Sequence, residues 1–342
     1  MRPERSLPSL TSLWANGGSV LRFRVTGVLA FIVILGVTFS LLSPQFLTWQ
    51  NLSVVASNAA ILAIVAVAQA IVLLTRNLDV SVGSIMGLAA YVSADYAARY
   101  HGGAEVLAFA LFLGLILGSI NGLIVAYARV SPLIATLGTM SLYRGLTFIY
   151  AHGQEITSSK LPRWMLAGVD FRLFGLPAIV VLSAIVVALV SIFLRRYPLG
   201  RSIYAVGSNP LATVFYGLRT ERIVLFAYAL SGLMCGLAGL LYAARVGTVT
   251  VVLATGWEMS SLAAAVIGGV SVAGGSGSVI GAALGALVLA AIDNGLVLLG
   301  VAEFWRMFIQ GSAIVAAVAV DTLINAQVRK SMKGARLRRA PV

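Results

Sequence analysis

The residues able to do chemistry in this chain sit in a few polar islands. Leu74 to Gly83 reads LTRNLDVSVG between apolar runs. Asn77, Asp79, Ser81 and the following Ser84 carry donors and acceptors that suit polyol hydroxyls or an unwound backbone. The competing expectation is a local Arg76–Asp79 pair in a tight loop. A second island, SPLIATLGTMSLYRG, brings Thr136, Thr139, Ser141 and Arg144. Hydroxyls of this kind either line a pore or join helices. Asp293 and Asn294 form a third island, suited to an interhelical hydrogen bond or to pore lining.

Ionisable groups inside apolar segments are costly and mark function by default. Asp79 with Arg76, Asp95, Arg144 and Asp293 complete that set, which is too sparse for a proton relay. The two histidines, His101 and His152, stand apart, and Cys235 is the one cysteine, so no metal site and no internal disulfide is expected. No catalytic residue is assigned. The glycine-rich strings GRSIYAVGS and GGVSVAGGSGS lack the G-K-[ST] ending of a phosphate-binding loop. No H-E-x-x-H or G-x-S-x-G is present. The chain is therefore expected to carry no cofactor and no ATP site, and not to be an enzyme.

The elements that must position these islands are membrane helices. Of 342 residues, 60% are hydrophobic and 10% charged. A soluble domain has about a quarter of its residues charged, so a soluble enzyme is excluded. Residues 1–24 are polar and basic and read as a cytoplasmic segment rather than a cleaved signal. Apolar spans follow near 25–43, 53–74, 83–98, 104–126, 131–150, 176–194, 223–244, 259–273, 278–299 and 304–325. Gly274-Gly275-Ser276-Gly277 breaks the eighth from the ninth. The expected fold is an all-α polytopic bundle of about ten transmembrane helices. It forms one permease domain over 25–328, followed by a basic tail over 329–342.

Net charge is +13. With both termini cytoplasmic, 17 Lys and Arg residues fall inside, against Arg99, Lys160, Arg163, Arg172, Arg245 and Arg306 outside; Arg144 lies within a span. That bias is the positive-inside signal, and it makes the lipid bilayer rather than nucleic acid the partner of the basic surface. Glycines recur every fourth residue at Gly114, Gly118 and Gly122, and at Gly277, Gly281 and Gly285. Gly83 with Gly87 and Gly232 with Gly236 repeat the spacing. Small residues so placed let helix backbones approach closely.

The inner loop over 195–222 reads RRYPLGRSIYAVGSNPLATVFYGLRTERI and its first apolar residue. Pro198 and Gly200 end the preceding helix. Ser208 or Asn209 caps a short helix with Pro210 in its first turn, running through Ala212 and ending near Gly217. A capped helix among arginines suits docking of a soluble partner, or an ordinary interfacial helix.

Three stretches carry a resemblance to a known family. LTRNLDVSVGSIMGL resembles a D-[LV]-S-V-G-S signature, and SPLIATLGTMSLYRG a P-x-[IL]-x-T-L-G-T…R-G stretch. AAVIGGVSVAGGSGSVIGAALGA resembles G-G-[VIT]-S-x-x-G-G-x-G-x-x-x-G-[AT]. Over its whole length the chain is similar to the permease subunits of bacterial ABC importers of the ribose, xylose, rhamnose and autoinducer-2 group. The resemblance implies a multi-pass protein of the bacterial inner membrane, working by alternating access. It implies an ATP-binding-cassette ATPase subunit that binds the ATP, a periplasmic substrate-binding protein, and a second permease copy or paralogue. The loop helix, with Asn209, Pro210, Ala212 and Gly217, would couple to the ATPase. Thr213 and Leu218 depart from the family's loop. Branched-chain amino acids or nucleosides are the alternative substrates, and an ATP-independent secondary transporter the alternative class.

Overall fold

The computed structural model describes residues 10–312 except 174, with 315 and 319, and side chains from residue 26 onward. Long apolar runs fold as helices because each backbone polar group must find its partner within its own segment when water is absent. The helices are α1 (Leu10–Leu42), α2 (Trp49–Leu74), α3 (Val82–Tyr100), α4 (Ala104–Ala126), α5 (Pro132–Ala151) and α6 (Arg163–Asp170). A two-residue hairpin follows, in which β1 (Arg172–Leu173) pairs antiparallel with β2 (Leu176–Pro177). Then come α7 (Ala178–Arg196), α8 (Pro198–Ser208), α9 (Pro210–Phe215), α10 (Thr220–Val246), α11 (Trp257–Ile267) and α12 (Val279–Leu298). A further helix covers residues 303–312.

The ends of these helices follow local chemistry. The Thr48 side chain accepts from the Asn51 amide to start α2, and Ser278 does the same for α12 through Gly281. Pro132 opens α5, where its missing N–H costs nothing. Glu105 lies in the first turn of α4, where unpaired backbone N–H groups favour a carboxylate.

α2 is the axis of the bundle. Val55 and almost every residue from Ala59 to Leu74 are buried, with α7, α10, α11 and α12 packed around them. Among the described helices the most extensive pairing is α4 on α10. A Cβ on Gly118 would lie 2.8 Å from Gly232 Cα, and one on Gly114 2.9 Å from Gly236 Cα. The two helices thus meet glycine to glycine, backbone against backbone. Lipid tails are as apolar as leucine, so such close van der Waals contact is a main source of helix association. Gly285 makes the same approach to α11, where its Cβ would lie 2.9 Å from Gly268 N. Gly281 also faces Gly268. Gly277 differs from its expected place in that stripe. It precedes α12, has φ 143°, and packs on Val270 in the turn.

Five described helices are long and apolar enough to cross a membrane: α2, α4, α7, α10 and α12. Thr26–Leu42 and α11 are shorter apolar helices. α1 begins at Leu10, inside the segment read as a non-spanning terminus. α11 stops at Ile267, six residues before its expected end, because Gly268 and Gly269 lead into a glycine turn with φ 85° at Gly269. Pro198 does not merely stop α7; it opens α8, so the 195–222 loop holds two helices. The loop over 151–175 folds into α6 and most of the hairpin, which apolar periodicity did not announce. The expected span over 304–325 is described as far as residue 312, and the basic tail lies outside the described residues.

Gly118→Ala is expected to lower the stability of the purified protein by about 1–3 kcal/mol, because the α4–α10 contact has no room for a methyl group. Gly138→Ala, with open space around it, is the control. Thermal unfolding in detergent reads both, and equal midpoints would contradict the packing argument.

Candidate functional site

The polar islands at 77–84 and 136–144 come together around the link between α2 and α3. Asp79 is fully buried. Its Oδ1 accepts the Ser81 amide at 2.9 Å and the Ser81 hydroxyl at 2.6 Å. Ser81 is the N-cap residue of α3. The carboxylate therefore sits at the amino end of a helix, where unpaired N–H groups and the helix dipole favour negative charge. Asn121 of α4 donates to Ser81 Oγ at 2.6 Å. The Tyr143 hydroxyl of α5 donates to Leu117 O at 2.9 Å and lies 3.3 Å from Asn121 Oδ1.

The backbone of the link is pinned as well. Val80 N–H donates to Thr136 Oγ1 at 3.1 Å, and the Tyr228 hydroxyl of α10 donates to Leu78 O at 3.0 Å. Ser84 and Thr139 bond only to carbonyls of their own helix turns. Asp79 Oδ2 is buried with no hydrogen-bond partner among the described residues. The anticipated Arg76–Asp79 pair does not form. Arg76 turns to the carbonyl of Ser208 instead, at 3.5 Å, with φ 64° at its own backbone.

Arg144 forms a separate centre. Its Nη1 donates to Leu253 O at 2.9 Å, and a Cβ on Gly87 of α3 would lie 3.2 Å from that nitrogen. Leu253 belongs to the non-helical stretch between α10 and α11, whose Thr255 and Gly256 are exposed. Glu258, one residue into α11, accepts from Gly256 N–H through Oε1 and lies beside Gly83. Irregular backbone at membrane depth is tolerated where protein buries it or where it borders a wet passage. The α5 face beyond Arg144 carries Ile134, Leu137, Ser141 and Leu142 exposed, with open space at Gly138 and Gly145.

Asp293 and Asn294 lie at the opposite end of α2 from Asp79. Asn294 and Asn51 exchange two amide hydrogen bonds, each 2.9 Å. α2 runs about 35 Å from Asn51 to Leu74, at about 1.5 Å per residue. Asp293 Oδ1 accepts from Arg306 and Gln310, each at 3.1 Å.

The end of α2 near Asp79 meets α8, and α9 packs on α8 and α10. Asn209 caps α9 through Ala212 N–H at 3.1 Å, Pro210 opens it, and Gly217 follows with φ 76°. Thr213, the departure from the family's loop, is buried and donates to Asn209 O at 2.7 Å. The outer face of α9 and its cap is bare: Leu211, Val214, Phe215 and Tyr216 are exposed, Phe215 by 90%. Behind it, Gly275 N–H donates to Leu74 O at 3.0 Å, and Gly207 is pressed on the same carbonyl. A Cβ on Gly275 would lie 2.5 Å from Ser208 Cα, and one on Gly274 2.9 Å from Arg76 N. The Tyr204 hydroxyl of α8 donates to Gly277 O at 3.2 Å, and burial pushes that phenol up. Asn77 caps the corner by donating to Thr75 Oγ1 at 2.8 Å. The turn of glycines, the end of α8 and the end of α2 are thus one junction.

Sequence reading missed Asn121, Tyr143, Tyr228 and Glu258. Asn121 was detectable as a single amide inside ILGSINGLIVA. The tyrosines gave no signal, because their rings suit an apolar helix and only the fold shows where the hydroxyls reach. Among the described residues no cluster of His, Cys, Asp and Glu can hold a metal ion.

The structure thus holds a buried polar node inside a bundle of long apolar helices, with a short helix exposing apolar side chains at one end. The family model described as "Branched-chain amino acid transport system / permease component" matches residues 51–318, and the chain belongs to that family. It is 38% identical over 309 residues to the autoinducer 2 import system permease protein LsrC of Escherichia coli O9:H4 (strain HS), covering 90% of each chain. It is 37% identical over 299 residues to the ribose import permease protein RbsC of Escherichia coli (strain K12), covering 86% of this chain and 92% of that one. No solved structure matches the chain.

Asp79→Ala is expected to cost about 1–3 kcal/mol, since it strands the buried Ser81 N–H and hydroxyl. Asp79→Asn keeps an acceptor at Oδ1 and retains most of that stability. Chemical unfolding in detergent ranks the two, and an Asp79→Ala protein as stable as the parent would remove the node from its structural role.

Proposed function

We propose that this chain is the permease subunit of an ATP-binding-cassette importer that moves a monosaccharide or sugar-like molecule, of the ribose, rhamnose or autoinducer-2 type, across the bacterial inner membrane. The observation that carries it is the pairing of whole-length similarity to LsrC and RbsC with the bare apolar face of α9. The chain has no phosphate-binding loop of its own, so a separate ATPase supplies the energy. The hydroxyls and amides of the polar islands suit a polyol.

In this reading the chain crosses the membrane about ten times with both termini cytoplasmic. The α8–α9 end faces the cytoplasm, and Leu211, Phe215 and Tyr216 insert into a groove of the ATPase. A periplasmic binding protein delivers substrate at the end marked by Asn51 and Asn294. A second permease copy or paralogue covers the α5 face, where Gly138 and Gly145 leave room for another backbone. Substrate passes between the two copies, along Ser141, Arg144 and the 250–256 stretch.

Movement follows the junction. ATP-driven closure displaces α9, α8 carries the displacement to Leu74 and Gly275, and the 75–81 link passes it to the start of α3. α3 and α5 share the Asp79–Ser81–Asn121–Tyr143 and Val80–Thr136 bonds, so both respond together. No covalent step takes place in this chain.

Two measurements test this reading. The chain, co-purified with its ATPase and reconstituted in liposomes with its binding protein, is expected to take up labelled sugar only with ATP inside the ATPase compartment. Uptake without ATP would promote a secondary transporter. Phe215→Glu is expected to abolish co-purification of the ATPase and uptake together while leaving the thermal midpoint unchanged, because the side chain is exposed in the free chain. Normal complex formation by that variant would move the docking surface elsewhere.

A further inference from the structure

A cavity of about 270 Å³ lies at the Asn51–Asn294 end, among α2, α10, α11, α12 and the 303–312 helix. It plays no part in the coupling route or in the α5 face. Its floor is apolar, formed by Ile61, Leu62, Leu289 and Ala290. One wall is aromatic: the Tyr242 and Trp257 rings stand 4.7 Å apart, tilted by 49°. The remaining lining is polar and comes from four helices, with Asn58, Ser260, Asp293 and Gln310.

The charges of this lining are balanced. Asp293 faces Arg306 at 3.1 Å through Oδ1, which also takes the Gln310 amide. Its second carboxylate oxygen remains able to accept. Asn58 Oδ1 accepts Arg245 Nε at 3.1 Å, which leaves the Asn58 amide NH₂ to donate. An aromatic wall suits the C–H face of a pyranose or furanose ring, and side-chain amides and a carboxylate suit vicinal hydroxyls. The volume lies close to the lower limit for small-molecule pockets, about 300 Å³, which fits one small ring.

From this we infer that the cavity is a binding site for one neutral polyhydroxylated ring of monosaccharide size, held on Tyr242 and Trp257 with Asn58, Asp293 and Gln310 as hydroxyl partners. The site belongs to a single permease chain. It would hold substrate at the delivery end before the passage between copies opens.

The test uses the full chain in phosphatidylcholine nanodiscs, free of sugar-based detergent. D-ribose, L-rhamnose and D-xylose are titrated by calorimetry without any binding protein. Saturable binding of at least one is expected. Trp257→Leu and Asp293→Asn are each expected to weaken it about tenfold, the scale of one lost stacking wall or charged hydrogen bond. Ala290→Met fills the cavity without removing a partner and is expected to abolish binding with the thermal midpoint retained. Binding unchanged by all three variants overturns the inference. So does the absence of heat with every probe, or a phospholipid retained at this site in native mass spectrometry. The choice of probes rests on the sugar-importer reading. ATP-driven uptake by the reconstituted complex reports on that reading separately, so intact uptake without nanodisc binding rejects the cavity site alone.

Discussion

A buried carboxylate has to be answered by something, and here the answer is the amino end of a helix. Among the described residues Asp79 has no ion-pair partner, yet two donors from Ser81 meet its Oδ1. That arrangement fixes where α3 begins. It also fixes the path of the link from α2, because Leu78 and Val80 on either side are tied to Tyr228 and Thr136. Three further helices thereby take their positions from one charged group: α4 through Asn121, α5 through Thr136 and Tyr143, and α10 through Tyr228. Burying a charge is expensive unless it is hydrogen-bonded. The node persists because each neighbour supplies a group that the others lack.

Glycine does the opposite work elsewhere in the bundle. It removes side chains so that backbones touch, as between α4 and α10, or at the meeting of Gly207, Gly275 and Leu74. A membrane protein gains little from hiding apolar surface from lipid, so it relies on contact area and on a few polar bonds. The two devices divide the molecule. Polar bonds organise the start of α3, glycines weld α4 to α10 and the glycine turn to α8, and the double amide clasp of Asn51 and Asn294 closes the far end of α2 and α12.

Much of this was legible in the sequence, for identifiable reasons. Apolar runs gave α2, α4, α7, α10 and α12 to within four residues at each end, since length and polarity govern them directly. The Asn209-Pro210 cap and the glycine stop at Gly217 were readable because capping is a local event. The two polar islands were recognised, but their union was not: Val80 and Thr136 are 56 positions apart, and no periodicity encodes that bond. Pro198 was read only as the stop of α7, which it is, and it also opens α8, because proline marks a helix boundary without saying whether a second helix begins there. α6 escaped notice because a short amphipathic helix outside the bilayer leaves little trace in hydropathy.

The junction at Leu74 has a mechanical consequence. Its carbonyl receives the Gly275 amide while Gly207 presses on the same atom, and no side chain lies between the three strands of backbone. Side chains are the compliant part of a protein; they rotate and absorb small displacements. With none at this point, the contact behaves as a gear without backlash. A shift of α8 by a fraction of an ångström arrives at α2 undiminished, and thermal jitter on the α9 side arrives with it. Such a linkage leaves this corner as a place where a single added methyl group has no room.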